Sequence, residues 1–137
     1  MRGPPFPVKN ILLIEDDLLT RQGFALALEA AGYTVRHAGN GLEGIRLLRT
    51  TPPPDVILLD MVMPVMDGWQ FLQARYNEAP EIRDIPVIVV SAAYEVVPRA
   101  ADALTVHGVV RVLNKPADGK ETLAAVSDLF ELMELGS

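Results

Sequence analysis

The chain has 137 residues, 50% of them apolar, with a net charge of −6 and a pI of about 4.8. That length gives one domain with enough chain to bury a core, and the acidic balance excludes the basic footprint that nucleic-acid binding needs. The absence of cysteine excludes disulfides, thiolate metal sites and a cysteine nucleophile, fits a reducing compartment such as the cytoplasm, and is joined by the absence of any apolar run near the roughly 20 residues of a membrane span.

The first residues, Met1-Arg2-Gly3-Pro4-Pro5-Phe6-Pro7, lack the hydrophobic core of a secretory signal. Their prolines predict a flexible, extended lead-in over 1–7. Residues 11–14 are continuously apolar and read as a buried strand that ends abruptly in Glu15-Asp16-Asp17. Leu18, Leu19, Gly23, Phe24, Leu26, Ala27, Leu28 and Ala31 then recur near helical spacing, and Gly32 stands where a helix end favours a left-handed residue. Residues 33–38 alternate in polarity, which suits a strand at the sheet edge.

Gly39-Asn40-Gly41 is a turn, and Leu42, Ile45, Leu47 and Leu48 give a short helix stopped by Pro52-Pro53-Pro54. Val56-Ile57-Leu58-Leu59-Asp60 reads as a strand buried on both faces, as in a parallel sheet. A run containing Pro64 follows, and Asp67-Gly68 opens a helix carrying Trp69, Phe71, Leu72 and Tyr76 that ends before Pro80. Residues 86–91 form a fourth strand, with proline tolerated at its first position. Pro98 suits the first turn of a helix running to about 105. Residues 109–113 are the fifth strand, closed by Asn114-Lys115-Pro116. Asp118 with Glu121 has the pattern of a capping box. The last helix carries Leu123, Val126, Leu129, Phe130 and Met133 on one face. Strands alternating with helices predict a parallel sheet covered on both sides: five strands and five helices.

Ligands of open parallel sheets bind beyond the carboxyl ends of the strands. The first strand brings Glu15, Asp16 and Asp17 to that end, the third Asp60, the fourth Ser91 and the fifth Lys115. Carboxylates gathered within about 4–6 Å repel unless a proton or a cation intervenes. Oxygen ligands of this kind suit Mg²⁺, which keeps several waters and bridges to phosphate. Lys115 supplies a point charge and Ser91 a hydroxyl donor for phosphoryl oxygens moving onto Asp60. Taken singly, each residue has a plainer explanation: the acidic triplet caps a helix, Ser91 ends a strand, Lys115 is solvated. Their joint occurrence at four strand ends is what those explanations miss.

With these residues in place, the chain resembles the receiver domain of two-component response regulators over 8–135. The resemblance rests on Ile11-Leu12-Leu13-Ile14-Glu15-Asp16-Asp17, on Asp60-Met61-Val62-Met63-Pro64-Val65-Met66-Asp67-Gly68, on Val89-Val90-Ser91-Ala92 and on Lys115-Pro116. It implies a flavodoxin-like, doubly wound α/β fold with sheet order 2-1-3-4-5. It implies that Asp60 accepts phosphate from a histidine kinase or phosphotransfer protein. Asp16, Asp60 and the Val62 backbone carbonyl would hold Mg²⁺, Glu15 would act through metal-bound water, and Ser91 and Lys115 would contact the phosphoryl group. The output would leave through the face of the fourth helix, fifth strand and fifth helix toward a protein partner, with homodimerisation left open. The family often carries an aromatic switch three positions before the lysine; here Val112 stands there. The apolar stretch 94–98 makes the fourth helix a candidate for mobility or partner contact. No output domain follows 135, so a separate partner is expected to carry the signal unless the chain is part of a longer one.

Three rival readings compete with this one. A receiver-like interaction module would bind partners without phosphorylation; the intact acid, serine and lysine set speaks against it. Gly39-Asn40-Gly41-Leu42-Glu43-Gly44 matches the dinucleotide pattern G-x-G-x-x-G, which is weak alone, and the nearby acids would repel a pyrophosphate. A phosphotransferase acting on external substrates would need a second acid two residues after Asp60, where Val62 stands. His37 and His107 stand alone, without further ligands at metal spacing.

Overall fold

The computed structural model of the chain describes residues 8–92 and 101–136. The strands are β1 (Asn10–Ile14), β2 (Thr34–Ala38), β3 (Val56–Asp60), β4 (Val87–Ser91) and β5 (Val109–Asn114). All pair in parallel, in the order β2-β1-β3-β4-β5. The helices are α1 (Leu18–Ala30), α2 (Gly41–Thr50), α3 (Gly68–Tyr76), α4 (Pro80–Arg83), α5 (Ala101–Val106) and α6 (Gly119–Leu135).

Side chains alternate across each strand, so the sheet has two cores. Leu12, Ile14, Ile57, Leu59 and Val89 face Ile45, Leu48, Phe71, Leu72 and Leu104 on one side. Ile11, Leu13, Leu58, Ile88 and Val90 face Phe24, Leu28, Val126 and Phe130 on the other. β1, β3 and β4 are buried almost throughout, which is why they read as unbroken apolar runs. β2 lies at an edge, as its mixed polarity predicts.

Several details differ from the sequence reading. Six helices are described rather than five: Pro80 starts a single turn at its first helical position, too short to carry a periodic signal. α5 is described only from Ala101, and the expected Pro98 start lies outside the described residues, as do 94–98 and the lead-in 1–7. On α1, Leu18, Leu19 and Leu26 face solvent, and the buried stripe is Phe24, Ala25 and Leu28. On α6, Met133 is exposed, and Thr122 and Ala125 join Val126 and Phe130 inside. Asp118 caps α6 through the Glu121 amide, while the two-way capping box joins Asp67 and Gln70 at α3. Gly32 is left-handed, at φ 98°, as expected.

Candidate functional site

β1 carries Glu15 out of the sheet on its last rung: the Glu15 amide donates to the Ala38 carbonyl of β2 at 3.0 Å. Glu15 is therefore buried while the next residue, Asp16, turns out to solvent. Asp17 accepts from the Thr20 amide and caps α1. The acidic triplet thus splits into an inner acid, a rim acid and a cap.

Asp60 ends β3, two residues before Val62, whose amide donates to Asp60 Oδ1 at 3.3 Å. The chain then returns to start α3 beside the same strand end. Gly68 donates its amide to the Met61 carbonyl at 3.0 Å. A Cβ on Gly68 would lie 2.6 Å from Met61 Cα and 2.8 Å from the Asp60 carbonyl oxygen, so only glycine allows this approach.

Ser91 is the last residue of β4, one step beyond the Val90 that pairs with Asp60, and it is fully buried. Lys115 directly follows β5, and the bond from it to Pro116 is cis. Its amide donates to the Ser91 carbonyl at 2.9 Å. Its Nζ lies 3.3 Å from Asp60 Oδ1 and 3.7 Å from Glu15 Oε1.

Glu15, Asp16 and Asp60 each offer a carboxylate oxygen, and these atoms lie within 4.8 Å of one another. One ammonium faces two buried carboxylates, so the balance is negative. Burial, the Asp60 charge and a hydrogen bond to Asp60 push the Glu15 carboxyl from 4.5 up to about 8, against the pull of Lys115. Burial also raises Asp60, opposed by its bond to Glu15 and by Lys115. The pair therefore keeps a proton near neutral pH. Glu15 Oε1 is buried without a hydrogen-bond partner. An open groove of about 530 Å³ reaches the site, lined by Glu15, Asp17, Thr20, Phe24, Lys115 and Pro116 among others.

The expected residues Glu15, Asp16, Asp60, Ser91 and Lys115 thus converge at one end of the sheet. Val62 reaches the site through its amide, which donates to Asp60 Oδ1, while its side chain is 57% exposed. His37 lies exposed on β2, and His107 follows the end of α5. The glycines of the dinucleotide-like pattern serve packing. A Cβ on Gly44 would lie 2.6 Å from Ile14 Cδ1, and one on Gly41 2.8 Å from the Met66 carbonyl.

The Arg21 side chain escaped the sequence reading. Its Nη1 donates to the Glu15 main-chain carbonyl at 2.8 Å. Its signal was weak: an arginine early in a helix, where a cation gains nothing from the dipole.

Comparison with known proteins agrees with this geometry. Over 121 residues the chain is 34% identical to the DNA-binding dual master transcriptional regulator RpaA of Synechocystis, covering 88% of this chain and 48% of that protein. It is 31% identical over 123 residues to the sensor kinase CckA of Brucella abortus, covering 89% of this chain and 12% of that protein. The chain spans less than half the length of these curated relatives. Among solved structures, the N-terminal domain of a response regulator receiver protein from Methanoculleus marisnigri JR1 matches with a TM-score of 0.72 and 30% identity, covering 93% of this chain and 95% of that one. Vibrio cholerae chemotaxis protein CheY4 shares the fold, with a TM-score of 0.79 at 24% identity over 89% of this chain and 98% of that one. The model of the response regulator receiver domain matches residues 11–127, and the chain belongs to that family.

Proposed function

We propose that the chain is a phosphoaspartate switch whose acceptor is Asp60, and that residues 8–135 are its receiver domain, acting in the cytoplasm. The observation that carries this reading is the convergence of Glu15, Asp16, Asp60 and Lys115 from three separate strand ends. The donor would be the phosphohistidine of a histidine kinase or phosphotransfer protein. An Asp60 oxygen attacks phosphorus, a P–O bond forms, and the P–N bond breaks with its electron pair returning to the imidazole. Water later attacks phosphorus, releasing phosphate and restoring the Asp60 carboxylate.

The donor set fits Mg²⁺. It is all oxygen, it carries excess negative charge, and it includes a buried carboxylate oxygen that no hydrogen bond satisfies. Asp16, Asp60 and the Val62 carbonyl would hold the ion, with Glu15 acting through its water. Bound there, Mg²⁺ would offset the charge of the transferring phosphoryl group. Lys115 holds its ammonium against Asp60 Oδ1 and is placed to follow charge onto the phosphoryl oxygens. Ser91, buried at the end of β4, offers its hydroxyl to the same group.

Phosphorylation adds about −1.5 to −2 charge at this spot. Both Ser91 and Lys115 would draw toward it; Ser91 precedes in sequence the segment that leads to α5, and the Lys115 amide donates to the Ser91 carbonyl. The face of α5, β5 and α6 is the proposed output surface, where Val106, Val110 and Leu132 are exposed. Val112 stands half-exposed on β5 in the family's aromatic switch position, so readout would run through the loop after Ser91 rather than through a ring.

The test uses Mg²⁺ with phosphoramidate or acetyl phosphate, followed by intact-protein mass spectrometry. A one-phosphoryl mass gain is expected in the wild type, and Asp60→Asn should abolish it. No gain in a protein that binds Mg²⁺ would favour a receiver-like interaction module that works unphosphorylated.

A further inference from the structure

We infer that Arg21 is a positioning residue: it anchors the main chain of the acid-bearing loop so that Glu15 and Asp16 present their oxygens to the same point as Asp60. The inference rests on the proposed function for its consequence and on independent contacts for its geometry.

Both main-chain polar groups of residue 15 are held. Its amide donates to the Ala38 carbonyl at 3.0 Å. Its carbonyl accepts from Arg21 Nη1 at 2.8 Å. The first contact extends the β1–β2 ladder by one rung. The second comes from the first turns of α1. Between them they fix where β1 stops and where Glu15 and Asp16 diverge, one buried and the other exposed.

The neighbouring loop leaves room for the guanidinium. A Cβ on Gly39 would stand 3.3 Å from Arg21 Nη1 and 3.4 Å from Glu43 Oε2. Glu43 in turn accepts from the Gly39 amide at 2.9 Å. Arg21 thus sits in a notch between the β1–α1 and β2–α2 loops, with a main-chain carbonyl as its partner. A surface arginine kept only for solubility needs no such notch. A charge-assisted bond to a carbonyl is among the stronger neutral-acceptor bonds, so the anchor is firm.

The direction of the mutational effect separates positioning from simple charge. Arg21 is a cation near an acidic centre. If it acted only through its charge, its removal would tighten binding of a dication. If it positions Glu15 and Asp16, its removal loosens the donor set and weakens binding. Partners that orient ligands are typically worth about 10- to 100-fold in metal affinity.

The experiment measures Mg²⁺ affinity by calorimetry on the unphosphorylated full chain, for wild type, Arg21→Ala, Arg21→Lys and Gly39→Ala. Amide exchange at Glu15 and Asp16 is read in metal-free protein. Expected are a Kd for Arg21→Ala raised on the order of 10-fold, faster exchange at both amides, and partial rescue by Arg21→Lys. Gly39→Ala, which crowds the notch and keeps the charge, should weaken binding in the same direction but less. An unchanged or tighter Kd for a folded Arg21→Ala, or Lys and Ala variants that behave alike, would overturn the inference while leaving the metal site intact. A wild type that binds no Mg²⁺ would instead remove the reading of the site, and this inference with it.

Discussion

Glu15 and Asp60 at the carboxyl end of the sheet and Arg75 at the amino end are almost equally inaccessible, at 2%, 2% and 0% exposure. Their surroundings differ in kind. Arg75 stands in the last turn of α3 and donates through Nη1 to the His107 carbonyl at 2.8 Å and through Nη2 to the Ile85 carbonyl. Those carbonyls precede β5 and β4, so one side chain ties α3 to the entries of two strands. Only its Nε lacks a partner. Burial lowers its pKa to about 10, leaving it protonated at neutral pH. At the other end, two like charges are pressed together against one ammonium, and a proton is retained to relieve them. Burial of charge alone therefore marks nothing. A structural charge is buried among dipoles that favour it, while a reactive one is buried beside a charge that opposes it.

The largest expected effect breaks the satisfied end. Arg75→Met keeps much of the volume but leaves the Ile85 and His107 carbonyls buried without their donors. A loss of about 3 kcal/mol in unfolding free energy is expected, measured by urea denaturation. Mg²⁺ affinity of the folded protein should stay the same. Full stability in this variant would mean that Arg75 is no tie at all.

The second prediction concerns pH and the opposed end. Glu15 titrates at about 8 in the folded chain against an ordinary 4.5. Between those values the folded protein holds a proton that the unfolded chain has released. The stabilisation linked to that proton is complete below about 4.5 and is lost as pH rises to about 8. Asp60 is raised as well and pulls the same way. The slope is at most about 1.4 kcal/mol per pH unit for one group. Melting temperatures in EDTA should therefore fall as pH climbs through this window, and saturating Mg²⁺ should flatten the fall. A rise with pH in EDTA would contradict the assignment of the proton.

A smaller effect sharpens the same point. Glu15→Gln removes one of the two facing charges and keeps the shape. At a pH of about 8 without metal it should stabilise the fold by about 1 kcal/mol, the usual gain when a functional site is relieved of strain. Thermal unfolding in EDTA measures this, and the pH slope should shrink with it. Asp60 would retain Lys115 as its partner in this variant. Equal or lower stability would show that the Glu15 carboxylate is not a burden.

How far the sequence foretold these two ends follows from the same physics. The strands at the centre of the sheet were legible because β3 and β4 are buried on both faces and read as unbroken apolar runs. Glu15, Asp60, Ser91 and Lys115 were legible because strand ends are where such runs stop. Which acid of the triplet lies inside was not, since it depends on the rung that Ala38 provides across the sheet. Arg75 was missed although it stands four residues after Phe71 and three after Leu72, on their helical stripe; a charge there reads as the edge of an amphipathic face unless its carbonyl partners are known. Leu18, Leu19 and Leu26 show the converse, apolar residues at helical spacing that stay exposed.

Backbone strain follows the same division. Val65 is the one non-glycine with positive φ among the described residues, at 70°, and it lies in the loop that follows Asp60. The Met66 amide donates to the Pro64 carbonyl at 2.8 Å, closing a three-residue turn around it. A β-branched residue in that region is strained by about 1–3 kcal/mol. Its side chain is 74% exposed, so little packing offsets the strain. Val65→Gly should relieve it, against a gain in unfolded-chain freedom of about 0.4–1 kcal/mol. The net expectation is a stabilisation of roughly 0–2.5 kcal/mol and a rise of a few degrees in melting temperature. The loop is pinned on either side, by the Gly41 amide on the Met66 carbonyl and the Gly68 amide on the Met61 carbonyl, each at 3.0 Å. Mg²⁺ affinity should therefore hold in this variant, separating strain that merely accompanies the site from the opposed charges that make it. A lower melting temperature would show that the valine side chain stabilises the turn it distorts.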